Sequence, residues 1–209
     1  MTFIVQNSNG FIQKNRLKMK NESSSILNRI LSVWLFNREG SQRIPYRSEL
    51  TLEALLLYAS PAIVWGALLI FFKWPKIIEE ATPALISIGI SLILEIVSIL
   101  LFLGGVFVSM AILLPGFPKS SHATPKMVFI AFSYVFSVKI VESLLFGLYF
   151  ILVTGPTPPL EFLQFLEFSF QFYFVVVLAF SIRSYTGRGI IASLACAFAI
   201  FLIRIPKAF

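Results

Sequence analysis

LLLYASPAIVWGALLIFF, residues 55 to 72, is 18 apolar or small residues without a charge, and its reading decides the fold. Crossing a hydrocarbon core takes about 20 residues of helix at ~1.5 Å each, so this run is a membrane span in length and chemistry. A second run, FYFVVVLAFSI at residues 172 to 182, has the same character. Neither alternates as a membrane β-strand does, and backbone groups in lipid must be satisfied within the segment, so both are helices. Further blocks extend the pattern, and the candidate spans are 54–72, 83–114, 127–154, 162–182 and 189–205. The expectation is an all-α, polytopic transmembrane bundle of about five spans over residues 51–209, preceded by a polar tail over 1–50 that carries a short amphipathic helix.

Composition agrees: 57% of the 209 residues are hydrophobic and 13% charged, far from the balance of a water-soluble domain. Breakers fall where hydropathy falls, at Pro75, Pro115-Gly-Phe-Pro118, Gly155-Pro-Thr-Pro-Pro159 and Gly187-Arg-Gly189. The second block runs 32 residues, roughly 48 Å as a helix, so it must tilt, protrude or bend, with Gly104-Gly105 as the place to bend.

The tail holds eight Lys/Arg against three glutamates and has no apolar signal core over residues 1 to 24, with Met19 offering a second start. Residues 25 to 36 place Leu27, Ile30, Leu31, Trp34 and Leu35 on one helical face, with Ser23 to Ser25 as N-caps. Twelve residues are too few to span. Two readings remain open: an interfacial helix anchored by Trp34 and Leu35 at headgroup depth, or a short helix packed on the membrane domain.

The net charge of +7 is concentrated in the tail and loops, which speaks for membrane orientation and anionic lipid rather than nucleic acid. Alternating five spans puts 12 Lys/Arg on the tail side and four on the other, with Lys139 inside a span, so the tail is expected in the cytoplasm and the C-terminus opposite. The membrane is the inner membrane of a prokaryote or an endomembrane of a eukaryote.

Catalytic chemistry finds little support. The chain has no aspartate, one cysteine (Cys196) in an apolar block and one histidine (His122) in a loop, so no catalytic residue, cofactor site or metal site is assigned. Glu79-Glu80 suggests the glutamate pair of membrane prenyl-type proteases, but Ala84 stands where their arginine follows. Ser120, Ser121 and His122 adjoin without a nucleophile elbow.

The informative residues are charges within spans. Lys139 and Glu142, three apart on one helix face, lie in the third block and Glu95 in the second. A lone charge at a helix centre costs at least about 2.5–3.5 kcal/mol, so these groups should face inward. Ser87, Ser91, Glu95 and Ser98 form one polar stripe, and Gln164, Glu167 and Gln171 another. Such a set is either a polar path for ions or protons, with Lys139 as counter-charge, or a structural ion pair that fixes helix register.

The order of these features resembles the Yip family, the Ypt-interacting membrane proteins. An amphipathic stretch (Ile26 to Phe36) precedes the first span, a loop with Lys126 leads into a long third span, and two closing spans flank the basic turn Arg183-Ser-Tyr-Thr-Gly-Arg-Gly189. Without aspartate the chain lacks the acidic Asp-Leu-Tyr-Gly type motif of eukaryotic members, so the likeness is to a prokaryotic-type relative. The resemblance implies a non-enzymatic protein that organises lipids, membrane-protein partners or copies of itself; a small transporter or channel subunit is the alternative.

Overall fold

The computed structural model describes residues 25–44, 50–79, 81–117, 124–152 and 160–203, and among them every regular element is a helix. Eight are present: α1 Ile26–Trp34, α2 Arg38–Arg43, α3 Thr51–Glu79, α4 Ala81–Leu113, α5 Pro125–Phe136, α6 Val138–Leu152, α7 Leu160–Thr186 and α8 Ile190–Ile203. Four runs are long and apolar enough to cross a membrane, namely Thr51–Leu68, Leu85–Leu113, Pro125–Tyr149 and Gln164–Thr186; Ile190–Ile203 is a shorter apolar helix. The chain is a multi-pass transmembrane helix bundle.

The helices differ from the simplest reading of the spans in three places. The first helix passes through Pro61 and Pro75 and ends at Glu79. Pro61 has no N–H for the Leu57 carbonyl, and the Ser60 hydroxyl donates to that oxygen at 3.0 Å, so the helix loses little in a medium without water. The second helix runs unbroken through Gly104-Gly105. Gly105 instead admits a neighbour, since a Cβ there would stand 3.0 Å from Ile200 Cγ1, while Gly104 has nothing within 4 Å. The third block is two helices meeting at Ser137. Ser133 Oγ donates to the Ile130 carbonyl at 2.8 Å and Ser137 Oγ to that of Tyr134 at 2.5 Å, back-bonding that loosens a helix.

Local chemistry sets the other ends. Ser25 caps α1, its hydroxyl accepting from the Asn28 N–H at 3.3 Å. Thr124 caps α5 in the same way, with Pro125 in the first turn. Gly187 takes φ +66° after α7, the left-handed conformation a helix stop requires. Arg188 then donates from Nε to the Leu113 carbonyl at 3.0 Å, satisfying the C-terminal end of α4.

The third span is the centre of the bundle. Over an 18-residue apolar stretch of Pro125–Tyr149, 72% of the residues are buried, against 28–33% in the corresponding stretches of the other three spans. Helix α5 packs against α1, α3, α4 and α7. Aromatic rings join these layers: Tyr58 lies 4.9 Å from Phe129 and 5.4 Å from Phe136, and Phe102 lies 5.2 Å from Phe136 and 5.6 Å from Phe174. Each such pair adds about 0.5–1.5 kcal/mol beyond its buried area. Outward, the spans present Ile63, Phe71, Ile93, Leu100, Ile112, Phe165 and Phe168, all more than half exposed. Charge inside and bare apolar side chains outside is the distribution that lipid selects.

Candidate functional site

Two polar groupings stand within this frame, one expected from the sequence and one not. The expected one is on α6. Lys139 and Glu142 are 0% and 4% exposed, and Lys139 Nζ forms an ion pair with Glu142 Oε2 one turn along the helix. Beneath the ammonium lies the ring of Phe174, its centroid 5.4 Å from Nζ. Carboxylate and aromatic face together compensate a charge that water does not reach.

The polar stripe of α4 turns inward as its spacing predicts. Ser87 and Ser91 are half-buried, with Ser91 Oγ donating to the Ser87 carbonyl at 2.9 Å, and Glu95 and Ser98 are buried. Phe102 continues that face and touches Phe174, the ring under Lys139, so the Glu95 face of α4 looks toward the helices that enclose the ion pair. On α7, Glu167 accepts from Gln171 Nε2 at 2.7 Å; both are half-buried and Gln164 is exposed. Glu167 precedes Phe174 by about two turns, roughly 10 Å. Glu80, Ser120, Ser121 and His122 lie outside the described residues, as does the side chain of Glu79.

The second grouping fastens the N-terminal helix to the bundle. Arg29 of α1 pairs with Glu53 in the first turn of α3, Nη2 to Oε2 at 2.5 Å and Nε to Oε1 at 3.2 Å. Tyr134 of α5 completes a triangle, accepting from Arg29 Nε at 3.0 Å and donating to Glu53 Oε1 at 2.5 Å. Burial opposes the Arg29 charge, but the contacts with Glu53 and Tyr134 outweigh it and raise the guanidinium above the ordinary arginine range. A cation with a raised pKa lends its stability at all pH values below its unfolded value, so Arg29 holds the cluster throughout the biological range.

Hydrogen bonds carry this docking along both short helices. Trp34 Nε1 donates to Ser137 Oγ at 3.0 Å, at the junction of α5 and α6, and Tyr173 OH donates to the Trp34 carbonyl at 2.8 Å. On α2, Gln42 Nε2 donates to the Ser184 carbonyl and the Ser41 carbonyl accepts from Tyr185 OH, each at 2.8 Å. Of the two expected anchors, Trp34 is half-buried against the bundle and Leu35 is 71% exposed. A hint of this docking lay in Arg29, a charge inside an apolar stretch, and Glu53, a charge at the mouth of a span. Their pairing crosses 24 residues, and no local period reports it.

Fold and site define a helical multi-pass membrane protein with a neutralised charge pair in its core. No family model, characterised protein or solved structure matches the chain.

Proposed function

We propose that the chain is a non-enzymatic membrane protein, Yip-like in its organisation, that gathers lipids or membrane-protein partners around a cytoplasmic N-terminal tail. The observation that carries this reading is the docking of α1 and α2 through Arg29, Glu53, Tyr134, Trp34 and Gln42. It fixes at one place on the bundle the root of a tail that carries Lys14, Arg16, Lys18 and Lys20 ahead of α1, where these can hold anionic headgroups. The pairing of Lys139 with Glu142 supports the same reading, since a buried cation met by a carboxylate one turn away is neutralised in place.

The direct test is lipid enrichment around the reconstituted protein, read by energy transfer from a tail label to labelled anionic lipid. The expected signal falls when Lys14, Arg16, Lys18 and Lys20 are replaced by Gln and falls again in high salt. An unchanged signal in the Gln variant sinks the tail's role.

A second reading, a small ion or proton transporter, draws on the junction at Ser137, two residues before Lys139, with Glu95 buried on a neighbouring helix. Interrupted helices beside buried carboxylates are where transporters place their sites. Flux in vesicles distinguishes the two.

A further inference from the structure

The tip of the α1–α2 hairpin reaches deep along the bundle. Trp34 bonds Ser137, which stands 12 residues from each end of the Pro125–Tyr149 span (137 − 125 and 149 − 137). Phe36 turns the chain with φ +57° and packs its ring 6.4 Å from that of Tyr173 and 5.1 Å from that of Phe180, both within the Gln164–Thr186 span. The chain then returns, and α2 meets α7 at Ser184 and Tyr185, the last turn before Thr186. The two arms touch: the Asn37 N–H reaches the Ser32 carbonyl at 2.8 Å, and a Cβ on Gly40 would stand 2.5 Å from Ser32 Oγ. This is a re-entrant hairpin in form. Its outer row, Leu27, Leu31 and Leu35 at intervals of four, is 59%, 37% and 71% exposed, a surface for acyl chains. On its returning arm Arg38 and Glu39 are exposed and Gln42 is half-buried, so this arm has to reach headgroups or water on the side it enters from.

Helix α8 begins in the same half. It has 14 described residues, about 21 Å against a core of roughly 30 Å. Arg188 ties its start to the end of α4, and Ile200 packs on Gly105, eight residues before that end (113 − 105). Among the described residues, α3, α4, α7 and the joined α5 and α6 run through both halves, while α1, α2 and the start of α8 are added to the tail-side half.

We propose that this asymmetry makes the protein a wedge that inserts extra cross-section into the tail-side leaflet and so favours membrane that is convex on that side. The proposal rests on, and deepens, the reading of the chain as an organiser of lipids. Cross-section added to one leaflet alone expands it relative to the other, which is why elements inserted in one leaflet bind in a curvature-sensitive way.

Full-length protein in giant vesicles from which thin tubes are pulled provides the test, with an N-terminal label and protease trimming to tell tail-outward from tail-inward molecules. Tail-outward molecules should concentrate on the tube roughly twofold or more over the flat membrane, and tail-inward ones should be depleted. Equal density on tube and flat membrane in both orientations overturns the proposal. Depth is read separately by spin labels at Leu27→Cys, Leu31→Cys and Leu35→Cys in a Cys196→Ser background. The labels should sink progressively by about 12 Å from 27 to 35; three labels at headgroup depth overturn the wedge. Failure here alongside intact anionic-lipid enrichment removes the wedge alone, whereas ion flux in the wild type removes the organiser reading.

Discussion

Lys139–Glu142 and Arg29–Glu53–Tyr134 are both charge pairs within a largely apolar protein, and they hold different things. The first is local, three residues apart on α6, and is buried. Its two charges meet within one helix, and the ammonium also faces the ring of Phe174 on α7. The second crosses 24 and 105 residues of sequence, joins α1, α3 and α5, and keeps its Arg29 and Glu53 side chains 10% and 19% exposed. One makes a charge tolerable in the core, and the other sets the position of an element that packing alone would leave loosely held.

That contrast predicts a graded series of losses. Lys139→Met leaves the Glu142 carboxylate buried without its cation and should cost about 3–5 kcal/mol in unfolding experiments in lipid or detergent. Combining it with Glu142→Leu should restore most of that, because an apolar pair of similar volume is close to neutral. A double variant as unstable as the single one would break the view that the two charges chiefly neutralise each other. Glu53→Ala should cost about 1–3 kcal/mol, since it strips both Arg29 and Tyr134 of their shared acceptor. Its signature is regional: hydrogen exchange should rise in residues 26–34 and stay unchanged in α6. Uniform change would erase the distinction between the two pairs. Trp34→Phe keeps the ring and removes the indole donor to Ser137, for a loss of about 1 kcal/mol read as faster exchange in α1. Raising salt should have the smallest effect, a few tenths of a kcal/mol in the exchange of α1, because the partly exposed cluster is screened and the buried pair is not.

Much of the architecture was legible because lipid imposes simple rules. Apolar run length located the long helices, and the intervals of three and four placed Glu95 and Ser98 on an inward face before any contact was known. What escaped depended on hydrogen bonds that hydropathy does not register. Pro75 reads as a stop, yet α3 continues to Glu79, and Pro61 is accommodated by one serine hydroxyl on the Leu57 carbonyl. Ser133 and Ser137 read as small neutral residues, and their back-bonds accompany the division of the third span. Periodicity found α1 and proposed which side was apolar, but that helix is apolar on two sides. Val33, Ile30 and Trp34 face the bundle while Leu27, Leu31 and Leu35 face away, and a single stripe conceals the division.

The proposed function makes the buried charges structural and the docked N-terminal hairpin, with its basic tail, the working surface. Flux across vesicles containing the full chain, followed with a pH-sensitive dye under an imposed proton gradient or with a cation indicator, tests it most directly. Vesicles with wild-type protein and with the well-folded Lys139→Met, Glu142→Leu variant should leak at the rate of empty vesicles. A pH-dependent flux in the wild type that disappears in the double variant would contradict the account and assign Glu95, Lys139 and Glu142 to a transport path.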